Sequence, residues 1–307
     1  MKKHLLPSIF SLLAVLGLVG LTLAPASARA EEAPPAPGRD GGPFPTRSGM
    51  EIDNALLAKV SALYYSTSRS RLQGFDCAVH PLWRALFESA DKNSPLSIHD
   101  PRILLLNSVA ITLHARMRGG STLEWTEPGT ADEPLDADSK KLLDRMHDAT
   151  DKTVMGFAQV WTSFVNGSLV PVSSQGLEIV ANGDGGYEIH SREGDISMTE
   201  VFDRDLVLQQ YNGQVRGIAV NSSPAYRPTS DGLLVTSFLT QILPAGGAPE
   251  QAQKMRVSIG YQTVDGFYLP ARLNVELVDT ARFDFVLDDC TTTRDADQRA
   301  SGKTETE

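Results

Sequence analysis

The chain has 307 residues, 41% of them hydrophobic, and carries 38 acidic against 28 basic side chains for a formal charge of −10. That surplus repels phosphate backbones and anionic head groups, which argues against nucleic-acid binding and electrostatic membrane docking. Cys77 and Cys290 are the two cysteines, so neither a CxxC redox pair nor a Cys-rich metal site is present.

The chain opens with Lys2-Lys3-His4, an apolar run from Leu5 to Ala24, and Ala28-Arg29-Ala30 before Glu31-Glu32. This is the layout of a secretory signal peptide over residues 1–30. The same run is long enough to serve as an uncleaved anchor. Cleavage leaves 277 residues and no stable transmembrane span, and it removes Lys2, Lys3 and Arg29. The mature balance is then 25 basic against 38 acidic residues, a charge of −13. The expected location is the periplasm or the extracellular space. In such an oxidising compartment two thiols pair most simply, which predicts a Cys77–Cys290 disulfide, the alternative being two separate buried thiols.

Residues 31–47 are rich in Pro and Gly and read as a disordered tether. Ser48 and Glu51 have capping-box spacing, and Ile52, Leu56, Val60, Leu63 and Tyr64 follow at helical spacing, predicting a helix over about 49–66. His80-Pro81 is expected to open a short helix with Trp83, Leu86, Phe87 and Ala90 on its apolar side. Ile103–Leu106 and the alternation Val109, Ile111, Leu113, Ala115, Met117 predict strands. Gly119-Gly120 then leads into Leu123-Glu124-Trp125 as a hairpin.

The longest helix follows, capped by Asp136 or Asp138 and closed by Asn166-Gly167. Its stripe is Leu142, Met146, Ala149, Thr153, Phe157, Val160, Trp161 and Phe164, strongly apolar only in the second half. Beyond Gly167 strands are predicted near 177–181, 186–192, 196–202, 206–212, 215–221, 233–243, 255–264, 267–278 and 281–290. Turns are placed at Asn182–Gly186, Asn212-Gly213, Asp231-Gly232 and Asp265-Gly266. Residues 291–307 read as a disordered polar tail. The expectation is one α+β domain over 48–290. In it a strongly curved antiparallel sheet of about 10–11 strands, a half-barrel, wraps around one long helix, with additional N-terminal helices.

Motifs for chemistry are missing. There is no G-x-S-x-G elbow, no HExxH and no Gly-rich phosphate loop. His80, His99, His114, His147 and His190 read as ordinary polar positions. Glu188, Glu193, Asp195, Glu200, Asp203 and Asp205 could supply a glycosidase-like pair, but acids on solvent faces of strands are commonplace. Asn182–Gly186 lacks the ligand spacing of a calcium loop. No catalytic residue, metal or cofactor is therefore predicted. Phe157, Trp161 and Phe164 remain as residues that either fill the core or line a ligand cavity beside the long helix.

The segment Val257–Cys290, VSIGYQTVDGFYLPARLNVELVDTARFDFVLDDC, carries V-D-G-F-x-L-P at a hairpin turn. With the order helix, hairpin, long helix and meander, it resembles bacterial exported proteins of the LolA/LolB-like superfamily. The resemblance implies a curved half-barrel with helices in its concave side, holding a lipid-like acyl group. It makes an exported binding or carrier protein the leading expectation, with lipid or lipoprotein acyl chains as partners. A structural or interaction module of the envelope with a filled core, recruiting other envelope proteins through exposed strand edges or acidic loops, is the alternative. A secreted hydrolase stands third.

Overall fold

The computed structural model describes residues 47–67, 71–90, 97–117, 120–126, 136–165, 170, 176–193, 196–215, 218–243, 247, 252–278 and 280–294. The expected signal peptide 1–30, the expected tether 31–47 apart from Arg47, and the expected tail beyond residue 294 lie outside them. Among the described residues, twelve strands and four helices are present, and every strand joins one open antiparallel sheet.

The chain begins with helix α1 (Arg47–Leu63), strand β1 (Leu72–Pro81), helix α2 (Trp83–Ala90) and helix α3 (Pro101–Asn107). The hairpin β2 (Ala110–Arg116) and β3 (Gly120–Thr126) precedes the long helix α4 (Ala137–Val165). A meander completes the fold, from β4 (Leu177–Ala181), β5 (Tyr187–Glu193) and β6 (Ile196–Phe202) through β7 (Leu208–Val215) and β8 (Ile218–Thr229). It continues with β9 (Gly232–Leu243), β10 (Gln253–Val264), β11 (Phe267–Leu277) and β12 (Ala281–Arg294). The spatial order is β3-β2-β1-β12-β11-β10-β9-β8-β7-β6-β5-β4, so the N-terminal three-stranded unit attaches to the end of the meander through the β1–β12 pair.

Several expectations change here. Ile103–Leu106 is helical, because Asp100 caps the segment by accepting the Arg102 N–H and Pro101 stands in its first turn. A short apolar run without alternation does not distinguish helix from strand. The stretch ending in His80-Pro81 is the strand β1, whose inner positions Phe75, Cys77 and Val79 are buried, and α2 begins only at Trp83. Asn212-Gly213 lies inside β7 rather than in a turn, and residues 291–294 belong to β12 rather than to the tail.

One face of the sheet is apolar and carries the main core. It draws Phe75, Cys77 and Val79 from β1, Leu113 and Ala115 from β2, and Leu273, Val275 and Leu277 from β11. Phe283, Phe285 and Leu287 of β12 complete this set. Helix α4 lays Met146, Ala149, Val154, Phe157, Val160 and Trp161 on that face. Its more polar first half docks against the edge strand β3 by a different device. Trp125 Nε1–H donates to Asp151 Oδ1 (2.8 Å), and the His147 ring tilts against the Trp125 ring with centroids 4.5 Å apart.

The Cys77–Cys290 disulfide is present and joins β1 to β12 across 213 positions of sequence. Helix α1 is followed by Tyr64 and Tyr65, which clip onto the start of β9. Tyr64 forms a parallel bridge with Leu233, and Tyr65 N–H donates to Leu233 O (2.9 Å). Gly232 makes that approach feasible. Its φ is +118°, and a Cβ there would stand 2.7–2.8 Å from backbone atoms of Leu63, Tyr64 and Tyr65.

Replacing both cysteines with Ala is expected to lower stability by up to about 5 kcal/mol in the chain-entropy picture. That corresponds to a fall in Tm on the order of 10 °C, read by calorimetry under oxidising conditions. Gly232→Ala combines a steric collision with strained backbone and is expected to cost about 2–4 kcal/mol in denaturant unfolding.

Candidate functional site

Two of the aromatic residues of α4, Phe157 and Trp161, lie in the main hydrophobic core. Phe157 and Trp161 are 2% and 1% exposed. The Trp161 ring meets Phe75 edge-on at 5.6 Å. Its Nε1–H donates to the Tyr261 hydroxyl (3.1 Å), which in turn donates to Val235 O (2.6 Å), so the one polar atom of the indole is satisfied internally. Phe164 is half-buried, stacks on Phe238 with centroids 6.2 Å apart, and touches both the main core and a second cluster built on α1. That cluster contains Leu57, Val60 and Tyr64 against Ile189, Phe202 and Leu208.

The other sequence candidates disperse. Glu188 pairs with Val201 across β5–β6 while Glu200 pairs with Ile189, so these two acids point to opposite faces of the sheet. Asp203 spends both carboxylate oxygens on its own turn, accepting from the N–H groups of Asp205 and Val207 and from Gln209 Nε2. The single amide oxygen of Asn182 accepts the N–H groups of both Asp184 and Gly186. Together these turns line an open cleft of about 510 Å³ bearing Asp184, Asp203, Arg204 and Asp205.

His114 sits between Asp76 and Glu124 at 2.8 and 3.2 Å. The hydrogen bond with Asp76 raises the His114 pKa against the effect of burial. Asp76 is pushed up by its own burial, but hydrogen bonds from Arg116 and His114 outweigh this and hold it low. Among the described residues no group of His, Cys, Asp and Glu is arranged to hold a metal ion. Nor is any helix long and apolar enough to cross a membrane.

A different place stands out when direct cross-strand partners are followed over the inner face. One row runs Ala281, Leu277, Met255, Thr240, Ser222, Tyr211, Glu200, Ile189. It is apolar over β12, β11 and β10 and then turns polar from β9 to β6. Ser222 Oγ and Thr240 Oγ1 lie 3.1 Å apart and satisfy each other. Tyr211 turns its hydroxyl toward Met198 Sδ (3.3 Å). Glu200 is only 8% exposed, and its Oε2 is fully buried without a hydrogen-bond partner. The hydroxyl of Tyr226, whose ring packs edge-on against Tyr64 at 5.2 Å, is likewise buried and unpartnered.

The next row is Met198, Gly213, Val220, Ile242. Among the described residues, a Cβ added at Gly213 would meet nothing within 4 Å. Val220 and Ile242 of this row are themselves buried, so the room lies at Gly213, one row from the buried acid.

Burial alone pushes the Glu200 carboxyl up to about 8, because a carboxylate there loses water and gains no counter-charge. The acid is protonated at neutral pH and able to donate a hydrogen bond. The sequence does carry a signal for it: Ile196, Met198, Glu200 and Phe202 share one phase of β6, so the Glu occupies an inward position between apolar neighbours.

The stability consequence has a definite sign. Glu200 holds its proton more tightly folded, near 8, than unfolded, near 4.5. Its contribution is complete below pH 4.5 and is lost as pH rises to 8. The wild type is expected to lose up to about 1.4 kcal/mol per pH unit across that window, and Glu200→Gln to remove the slope. Thermal unfolding of both proteins from pH 5 to 8 checks this, and a wild-type slope no steeper than that of Glu200→Gln would show instead that Glu200 is ionised in the fold. No protein-family model matches the chain, nor does any curated protein or solved structure.

Proposed function

We propose that the protein is an exported, non-enzymatic binding protein of the cell envelope that holds an apolar or acyl-chain ligand against the inner face of its sheet. In this reading the sheet is a curved half-barrel, occupied by α4 over β1, β2 and β9–β12 and by α1 at Ile189, Phe202 and Leu208, and available to ligand around Gly213 of β7. The observation that carries it is the room at Gly213, where among the described residues a Cβ would meet nothing within 4 Å, one row from the buried Glu200. An alkyl chain seated there would gain about 25 cal/mol for each Å² of apolar surface removed from water. Phe164, which borders both clusters, marks the inner limit of the region. Phe157 and Trp161 then support the site from the core instead of touching ligand.

A second reading is an interaction module of the envelope with a filled interior. The tight burial of Phe157 and Trp161 favours it. So do the terminal strands β3 and β4, which each pair on one side only.

Native mass spectrometry of gently purified protein separates the two. The binding reading expects a removable lipid-like mass or uptake of an added alkyl probe. Gly213→Leu, which fills the open space, is expected to weaken probe binding at least tenfold while changing Tm by no more than a few degrees. A protein with no bound mass that takes up no apolar probe is an interaction module.

A further inference from the structure

The chemistry around Glu200 specifies the polar head of the ligand, an inference that rests on the binding reading above. Two buried polar atoms on this face, Glu200 Oε2 and the Tyr226 hydroxyl, have no hydrogen-bond partner. Tyr211 is the direct cross-strand neighbour of Glu200, and Tyr64 packs against Tyr226. Burial comes first in raising the hydroxyl pKa of Tyr211, Tyr226 and Tyr64, and the charge of Glu200 adds to it in all three. The three rings are thus gathered around one acid, which enters no ion pair among the described residues.

Three kinds of head group can be compared. An anionic head would meet an acid without a counter-charge, in a chain that is already at −10. A neutral carbonyl could accept the Glu200 proton but would make no use of the aromatic faces. An ammonium head supplies the missing positive charge, is attracted to tyrosine rings, and is drawn in by the acidic surface.

We propose that Glu200, Tyr211 and Tyr226 form the head-group site for an organic ammonium ion whose apolar part lies over Gly213 toward Val220. Binding then proceeds by proton exchange. The Glu200 O–H bond breaks, the proton passes to solvent, and the carboxylate pairs with the incoming cation. Below pH 8 each binding event therefore releases close to one proton. Affinity rises about tenfold per pH unit until the free acid is itself ionised.

The test is isothermal titration calorimetry of the purified protein with decyltrimethylammonium, decanoate and an uncharged decyl glucoside, each below its micellar concentration. The quaternary ammonium keeps its own charge at every pH, so any proton change belongs to the protein. In two buffers of different ionisation enthalpy at pH 6.5, the cation is expected to bind most tightly with release of about one proton. Its affinity should increase roughly tenfold to pH 7.5. Glu200→Gln, close in volume and uncharged, should abolish proton release and weaken the cation at least tenfold, while the glucoside still binds. The wild-type buffer and pH comparison reads the same property without any substitution. If the glucoside or decanoate binds as well as the cation with no proton released, the ammonium proposal is overturned and the binding reading stands. If none of the three binds, both are overturned.

Discussion

The structure depends on covering one apolar face of an open twelve-stranded sheet with very little helix. A sheet of this width buries strand residues at every second position, and each large apolar side chain left in water would forfeit about 1.5–3 kcal/mol. Helix α4 provides most of the cover. Its second half presents Val154, Phe157, Val160 and Trp161 in a continuous stripe to the face built by β1, β2 and β9–β12. There the strands alternate cleanly, as in Phe283, Phe285 and Leu287. No buried residue of β4–β8 belongs to this main core. On that side α1 covers the apolar Ile189, Phe202 and Leu208, and other inner positions become small or polar, with Gly213, Ser222 and Glu200. The candidate site is a consequence of where the helix stops covering the sheet.

The two halves are tied together by local devices. Tyr64 reaches β7, accepting the Leu208 N–H (2.7 Å), while the Tyr65 hydroxyl accepts the Tyr268 N–H on β11 (3.1 Å). One dipeptide just after α1 thereby spans from the sparsely covered half of the sheet to the packed half. It can do so only because Gly232 has no Cβ. On the opposite flank the disulfide holds β1 to β12, the pair that joins the N-terminal unit to the meander. Both constraints fix how the inner face is presented, the disulfide from the far flank and Tyr64 from beside Tyr226.

Patterning in the sequence anticipates elements with a long regular repeat. Helix α4 is announced by its stripe from Met146 to Phe164. The meander is announced by alternating strands and by turns such as Asp265-Gly266, where both residues adopt positive φ (50° and 85°). The failures fall where periodicity is short or is overridden. Ile103–Leu106 offers four apolar residues and no period, and its helix is decided by Asp100 and Pro101. Asn212-Gly213 carries turn chemistry, yet pairing with β6 and β8 keeps it extended within β7. β1 hides its alternation behind Gly74, Asp76 and a register shift against β12.

From the sequence alone came the α+β class, the long amphipathic helix, the antiparallel meander and the pairing of two cysteines. These follow from local period, turn chemistry and simple counting, all of which act over a few residues or none. Which aromatic side chains are core and which face of β6 meets water depend on contacts between residues far apart in the chain. Trp161 is core because Tyr261, a hundred positions later, satisfies its N–H. Glu200 is an uncharged buried acid because strands β5 and β7 and the tyrosines beside it remove its water and offer no cation. Burial is a property of the assembled sheet, and only the tertiary structure determines it.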